Sequence, residues 1–311
     1  MFTYLWRRIL YMIPILFGVT LITFMLFNVV GGDPAAQAAG RHATEEQIQV
    51  IRHELGLDRS LPMQYLFFVK QIFTFDFGRS WSTKQTITSM FTDGIGPSLS
   101  LTLPAFLLAE LITISLALML ARWRGTNFDR ITKITCLAMM SLSSLVYILW
   151  GQYFVAYKWN WFPISGWDNS WVGRWEYLGL PILIFVILSM GSNVLFYRTV
   201  FLDEIYQDYV RTARAKGLSD RTILFKHVLR NALIPIITRV VLTMPFLILG
   251  SLLLESFFGI PGIGGIVVMA IQNADFPVIK AMTFLSAILY MVFQLISDVL
   301  YAVVDPKVQL R

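Results

Sequence analysis

Six long apolar runs, at about 9–30, 99–121, 134–157, 177–198, 232–255 and 281–303, limit what this chain can become. At 1.5 Å per helical residue, about 20 residues cross a hydrocarbon core of about 30 Å, and each run is of that order. Backbone polar groups in lipid must be satisfied within the protein, so the runs are expected to be helices. The alternating ten-residue segments of a β-barrel are absent. The expected fold class is all-α, a polytopic membrane bundle of about six transmembrane helices.

Composition agrees. Of the 311 residues 56% are hydrophobic and 14% charged, against roughly 25% charged in a soluble domain, too few to coat a water-facing surface. The formal net charge of +6 comes from basic residues between the apolar runs rather than along one helix face. That pattern reflects topology, not a nucleic-acid partner. Cys136, the only cysteine, lies inside an apolar run, so neither an intrachain disulfide nor a Cys-based metal site forms, and it reads as a small packing residue. Arg7 and Arg8, the run Ile9–Val30 and the small residues Ala35, Ala36, Ala38 and Ala39 superficially resemble a signal peptide. The run exceeds the roughly 7–15 residues of a signal core, which favours an uncleaved first span.

Arg7, Arg8, Arg122, Arg124, Arg130, Lys133, Arg198, Arg211, Arg214, Lys216, Arg221, Lys226, Arg230, Lys307 and Arg311 fall on one side of the bundle; short loops on the other offer Lys158, Arg174 and Lys280. The basic side, with both termini, is expected to be cytoplasmic. The chain then divides into a tail and first span (1–30), an outer insertion (31–98) and a core of five further spans (99–311), with a cytoplasmic loop at about 200–231.

The insertion is too organised for a linker. Thr44 with Gln47 forms a capping box, Ile48, Ile51 and Leu55 follow at helical spacing, and Gly56 ends the helix left-handed. A second helix is expected after Pro62, carrying Tyr65, Leu66, Phe68, Val69, Ile72 and Phe73. Trp159, Trp161, Trp167, Trp171 and Trp175 crowd the loop 158–176, as an interfacial aromatic belt or an aromatic binding platform. There is no fixed-period repeat or low-complexity segment.

The most informative stretch runs from Asp203 to Pro235. It reads as a short helix with Tyr209, Thr212, Ala213 and Ala215, a break at Gly217, and a helix capped by Ser219 that carries Ile223, Leu224, Val228 and Leu229 into a span. A polar elbow can be a mere connection. A small-residue helix on a glycine elbow is also what close docking onto another protein needs.

Arg211-Thr212-Ala213-Arg214-Ala215-Lys216-Gly217, followed by His227-Val228-Leu229-Arg230-Asn231-Ala232-Leu233-Ile234-Pro235, resembles the EAA loop of ABC importer permeases in its dipeptide/oligopeptide variant. Arg211 and Thr212 stand where the general pattern has Glu and Ala, and His227 and Arg230 where it has Ile and Pro, while Ala213, Gly217 and Leu229 are kept. The resemblance covers nearly the whole chain through Arg7-Arg8-Ile9, Gly32-Asp33-Pro34, Leu55-Gly56-Leu57-Asp58, Asp76-Phe77-Gly78-Arg79-Ser80, Phe258-Gly259-Ile260-Pro261-Gly262-Ile263-Gly264, Asp298-Val299-Leu300-Tyr301 and Asp305-Pro306. It implies a type I importer permease fold in a bacterial inner membrane, half of a channel. The implied partners are a second homologous permease, two ATP-binding subunits and an extracytoplasmic substrate-binding protein. Tyr209, Arg211, Thr212, Ala213, Arg214, Lys216 and Gly217 would then couple to an ATPase. The chain has no Gly-x-x-x-x-Gly-Lys-Ser/Thr phosphate cradle, so it is not expected to be an enzyme, and ATP and Mg would be bound by the partner ATPases. Relatives of such permeases are associated with di- and oligopeptides, glutathione, antimicrobial peptides and nickel.

Charges inside spans each cost about 2.5–3.5 kcal/mol at mid-membrane and should face the bundle interior or water. Glu110 and Arg239 either pair or line the pathway; Glu255 and Asp298 either lie near an interface or make structural hydrogen bonds. Gly259, Pro261, Gly262 and Gly264 read as a turn or as part of an outer gate. The competing class is an ion-coupled secondary transporter, for which two repeated halves with matching broken helices are expected. Pro235 and Pro245 interrupt the fifth run, but no matching half exists.

Overall fold

The computed structural model describes residues 2–30, 32–40 and 43–304. Asp305, Pro306, Lys307 and Arg311 lie outside the described residues. Regular structure among the described residues is helical, with one isolated bridge between Arg79 and Thr86.

The longest helices are α5 (Ile87–Arg122) and α8 (Arg174–Ile205), packed side by side at the centre. Their sequences explain why. On α5, Thr102, Ala105, Phe106, Ala109 and Thr113 are buried, whereas Leu103, Leu107 and Leu111, spaced by one turn, are 44%, 58% and 66% exposed. An apolar residue on the outer face is what a lipid-facing helix needs, since lipid is the better solvent for it. Small residues bring the helices close. A Cβ at Gly191 on α8 would lie 2.7 Å from Met140 Cγ and 3.0 Å from the Cys136 carbonyl, so α8 and α6 (Asn127–Ser141) approach there as only glycine allows.

Among the described residues, five helical segments are long and apolar enough to span a membrane: Trp6–Val30, Ile87–Arg122, Arg174–Ile205, Leu233–Phe258 and Phe276–Leu300. The sixth expected span departs from a straight helix. Residues 127–158 form α6 and then α7 (Ser144–Trp150), which continues as wider π-helical turns to Lys158, and the two halves meet at 92°. The bend has a local cause: Leu142 is extended (φ −93°, ψ 139°), and the Ser143 hydroxyl accepts from the Leu145 N–H, starting a new helix. A second break divides the run 232–255 into α12 (Leu233–Leu249) and α13 (Leu252–Phe258) at Gly250, whose φ is +75°. α5 begins at Ile87, twelve residues before the apolar run that it carries.

Within that insertion, α2 (Pro34–Ala39) is capped by Asp33, which also pairs with Arg52. The Thr44–Gln47 capping box opens α3 (Glu45–Glu54), and Gly56 follows with φ +65°. α4 (Leu61–Phe73) starts one residue before Pro62, which occupies its first turn where no N–H is needed. It lies on α1 (Phe2–Met25), where Tyr65 hydrogen-bonds Thr20 at 2.9 Å and meets Phe24 edge-on. The segment 80–82 is tied to Asp275, whose carboxylate accepts from Ser80, the Trp81 N–H at 3.0 Å and Ser82 at 2.8 Å. In the loop 158–176, the Arg174 guanidinium lies 5.0 Å from the rings of both Trp167 and Trp171.

Candidate functional site

Three groups of residues carry chemistry. The first is the elbow formed by α9 (Asp208–Ala215) and the turn after it. Gly217 takes φ +74°, a conformation that terminates the helix and disfavours a side chain. The Ser219 hydroxyl then accepts from the Thr222 N–H and starts the return helix α10 (Asp220–Thr222), prolonged by a π-helical turn over Ile223–Val228. α11 (Leu229–Asn231) leads from this turn into α12. Tyr209 donates to Glu204 at 2.5 Å. Burial and then the neighbouring carboxylate push its hydroxyl up to about 12, so it remains a neutral donor.

The structure corrects one expectation here. Ala213 was expected on the surface that meets a partner; it is 5% exposed and faces inward, with Val210, onto a core of Ala117, Ala121, Phe201, Ile223 and Val228. The three-residue spacing of Val210 and Ala213 places both on one face of a 3.6-residue helix. Arg211, Thr212, Arg214, Ala215 and Lys216 are exposed on the other face, as is Gly217 beyond it. Arg211 makes an exposed pair with Asp208 at 3.4 Å.

Beside the elbow, Asp129 is buried at the start of α6 and held bidentately by Arg198 at 2.7 and 2.9 Å, with Lys133 at 3.5 Å and the Gly125 N–H at 3.1 Å. Arg198 and Lys133 read from the sequence as orientation charges; Arg198 on α8 also clamps α6 to α8 through Asp129, and Lys133 braces the same carboxylate from within α6.

The second group lies midway along the bundle. Glu110 and Arg239 do not pair directly. Glu110 accepts from Tyr197 at 2.5 Å and from the Asn193 amide at 3.2 Å, while the oxygen of Asn193 accepts from Arg239 at 3.4 Å. Both charged residues line a cavity of about 380 Å³ between α5, α8 and α12. Asn193 and Tyr197 were missed in the sequence. Their signal was there: two polar side chains one turn apart, on one face of an apolar helix, where a buried carboxylate required donors.

The third group is the turn 259–264. Gly259 has φ +66°, and α14 (Ile263–Gln272) starts at Ile263. The glycines make room for Glu255, which is fully buried and accepts from the backbone N–H of Ser251 at 3.0 Å and of Gly265 at 3.2 Å. A Cβ at Gly262 would stand 2.3 Å from its carboxylate, and one at Gly264 2.9 Å from it and 2.8 Å from the Ser251 carbonyl carbon. Of the two readings of Glu255, the structural hydrogen bond is the observed one. Asp298 likewise pairs with Arg8 at 2.7 Å, joining α1 to α15 (Phe276–Val304).

A bundle of long apolar helices, with a cavity lined by Glu110 and Arg239 between them and an anchored elbow at one end, is the arrangement of a transport permease. The chain belongs to the family described as the binding-protein-dependent transport system inner membrane component, which matches residues 98–310; the corresponding N-terminal membrane-component family matches residues 1–102. It is therefore a multi-pass inner-membrane permease subunit of an ABC importer and works with other subunits of that importer. Among its relatives are glutathione transport system permease proteins named GsiC, 32% identical in Pectobacterium atrosepticum and 30% identical in Escherichia coli K12 and Shigella flexneri, each aligned over 100% of both chains.

Proposed function

We propose that this chain forms half of a pathway for glutathione or other small peptides, and that α9 transmits the closure of an ATPase subunit to the spans. A second homologous permease supplies the other half, two ATPases bind ATP and Mg, and an extracytoplasmic binding protein delivers the substrate. The chain itself hydrolyses nothing. Both termini and α9 lie on the cytoplasmic side, and the turn 259–264 lies outside, where it helps close the pathway or receive the binding protein.

The observation that carries this reading is the two-sided nature of α9. Its inner face is locked by Val210 and Ala213 into the same core as Ala117 of α5, Phe201 of α8 and Ile236 of α12, so a displacement of α9 is passed to three spans. Its outer face, with Arg211, Thr212, Arg214, Ala215 and Lys216, is exposed. A partner shifts the permease only if its contact differs between states, and a rigidly anchored helix with an exposed outer face provides such a contact. The relatives' name supports the substrate class.

The test separates the two faces. Ala215→Glu should leave the protein at wild-type membrane abundance and thermal stability while ATP-dependent uptake of glutathione or tri-alanine is lost, through failed ATPase assembly or uncoupled hydrolysis; Gly217→Val should lose uptake too but melt lower, because a β-branched side chain is strained at φ +74°. Ala213→Glu should instead lower stability itself, because it buries a charge. Arg214→Gln should be mild, since a water-exposed contact contributes about 0–1 kcal/mol. Normal coupled uptake in Ala215→Glu would sink the docking role of α9.

A further inference from the structure

Deepening the peptide-permease reading, we infer that Arg239 is a receptor for the carboxylate of the substrate, so that the permease, and not only its binding protein, selects for an anionic end. The site is the cavity of about 380 Å³ between α5, α8 and α12, within the roughly 300–1,000 Å³ of small-molecule sites. Its walls include Phe106, Phe185, Phe246 and Leu247, and an apolar lining strengthens any charge interaction inside it.

Three observations single out Arg239. The ion pairs of the described residues lie elsewhere, at Arg8–Asp298, Asp33–Arg52, His53–Asp58, Asp208–Arg211 and the Asp129 clamp. Arg239 instead reaches the neutral oxygen of Asn193 at 3.4 Å and lies 5.6 Å from the Phe196 ring, and its buried Nε has no hydrogen-bond partner. Glu110, the carboxylate across Asn193, already accepts from Tyr197 and Asn193. A guanidinium with unused donors at the edge of an apolar-walled cavity matches a carboxylate, which takes two parallel N–H bonds from it. Ser192 lines the same cavity and adds a hydroxyl. A structural cation on a membrane span is ordinarily placed directly against a carboxylate or backbone carbonyls; Arg239 meets an amide and the cavity, with the Glu110 carboxylate on the far side of that amide.

The probes are tri-alanine and its C-terminal amide, which differ by the carboxylate alone. Saturation-transfer NMR on the solubilised intact importer, without its binding protein, reads contact directly. Wild type should transfer at least about fivefold more to the acid than to the amide, Arg239→Gln should bring the acid down to the amide's level, and Arg239→Lys should fall between. Equal transfer to acid and amide in wild type, no transfer to either, or an unchanged preference in Arg239→Gln would each overturn the assignment, and the wild-type comparison stands even if a variant fails to assemble. Uptake by the reconstituted wild-type complex with its binding protein is scored separately: no uptake of tri-alanine or glutathione defeats the peptide reading, whatever the NMR result.

Discussion

At the scale of single residues, the buried carboxylates explain positions that sequence motifs only mark. Glu255 occupies the space that the glycines at 250, 262 and 264 leave open, so the glycine-rich turn is shaped by its tenant as much as by its own backbone. Gly264→Ala should therefore cost about 1–3 kcal/mol, the usual range for overpacking, because the backbone of Ser251 must move. Gly96→Ala, a helical position with nothing within 4 Å, should be neutral or slightly stabilising; thermal melting in detergent compares the two. Asp275 gives a pH-dependent counterpart on an interhelical turn. Burial pushes its pKa up, but the donors on Ser80, Trp81 and Ser82 outweigh this and hold it below the usual carboxylate range. A lowered folded value contributes stability that is complete above the unfolded value of about 3.9 and lost as pH falls through the folded one. Asp275→Asn should thus melt lower than wild type at pH 7, with the gap narrowing below about pH 4.

At the scale of elements, the strongest sequence signals survived and the weaker ones were revised for identifiable reasons. Capping by Thr44 and Ser219 and termination at Gly217 rest on local chemistry, which a sequence displays directly. The 92° turn inside 127–158 was not legible, because hydropathy is blind to direction and the residues that cause it, Ser141 to Ser143, are as compatible with a continuous apolar run. The inward rotation of Ala213 was legible from its spacing to Val210, but the family pattern drew attention to the small side chain rather than to its face. Glu110 was recognised as a charge needing company, whereas Asn193 and Tyr197 come from a helix distant in sequence and only the packing of α5 on α8 brings them there. That packing can be probed with the chain's own cysteine. Cys136 is buried and free on α6 against α8, and Gly191→Val on α8 must push α6 away. Wild-type Cys136 should resist a membrane-permeant maleimide and react in Gly191→Val, while Gly96→Ala, at a helical position with nothing within 4 Å, should leave it protected.

At the scale of the whole molecule, the distribution of charge and apolar surface makes one statement about how the bundle sits. The exposed Leu103, Leu107 and Leu111 row on α5 identifies a face made for lipid or for a partner span. The end of the bundle around α9 concentrates exposed Arg211, Arg214, Lys216, Arg221, Lys226 and Arg230, whereas the loop 158–176 at the other end holds exposed tryptophans, with Arg174 lying over two rings. Basic residues in short loops stay on the cytoplasmic side during insertion, and tryptophans settle at the interface. Asp129 engages Arg198 and Lys133, yet acidic residues contribute little to this rule, so the asymmetry stands. In a Cys136→Ser background, a cysteine at Val172, which is 82% exposed, should react with an impermeant thiol reagent in intact cells, and a cysteine at Asp220 only in inverted vesicles. The reverse labelling would place α9 outside, away from any cytoplasmic ATPase, and would remove the coupling role assigned to it together with the direction of transport.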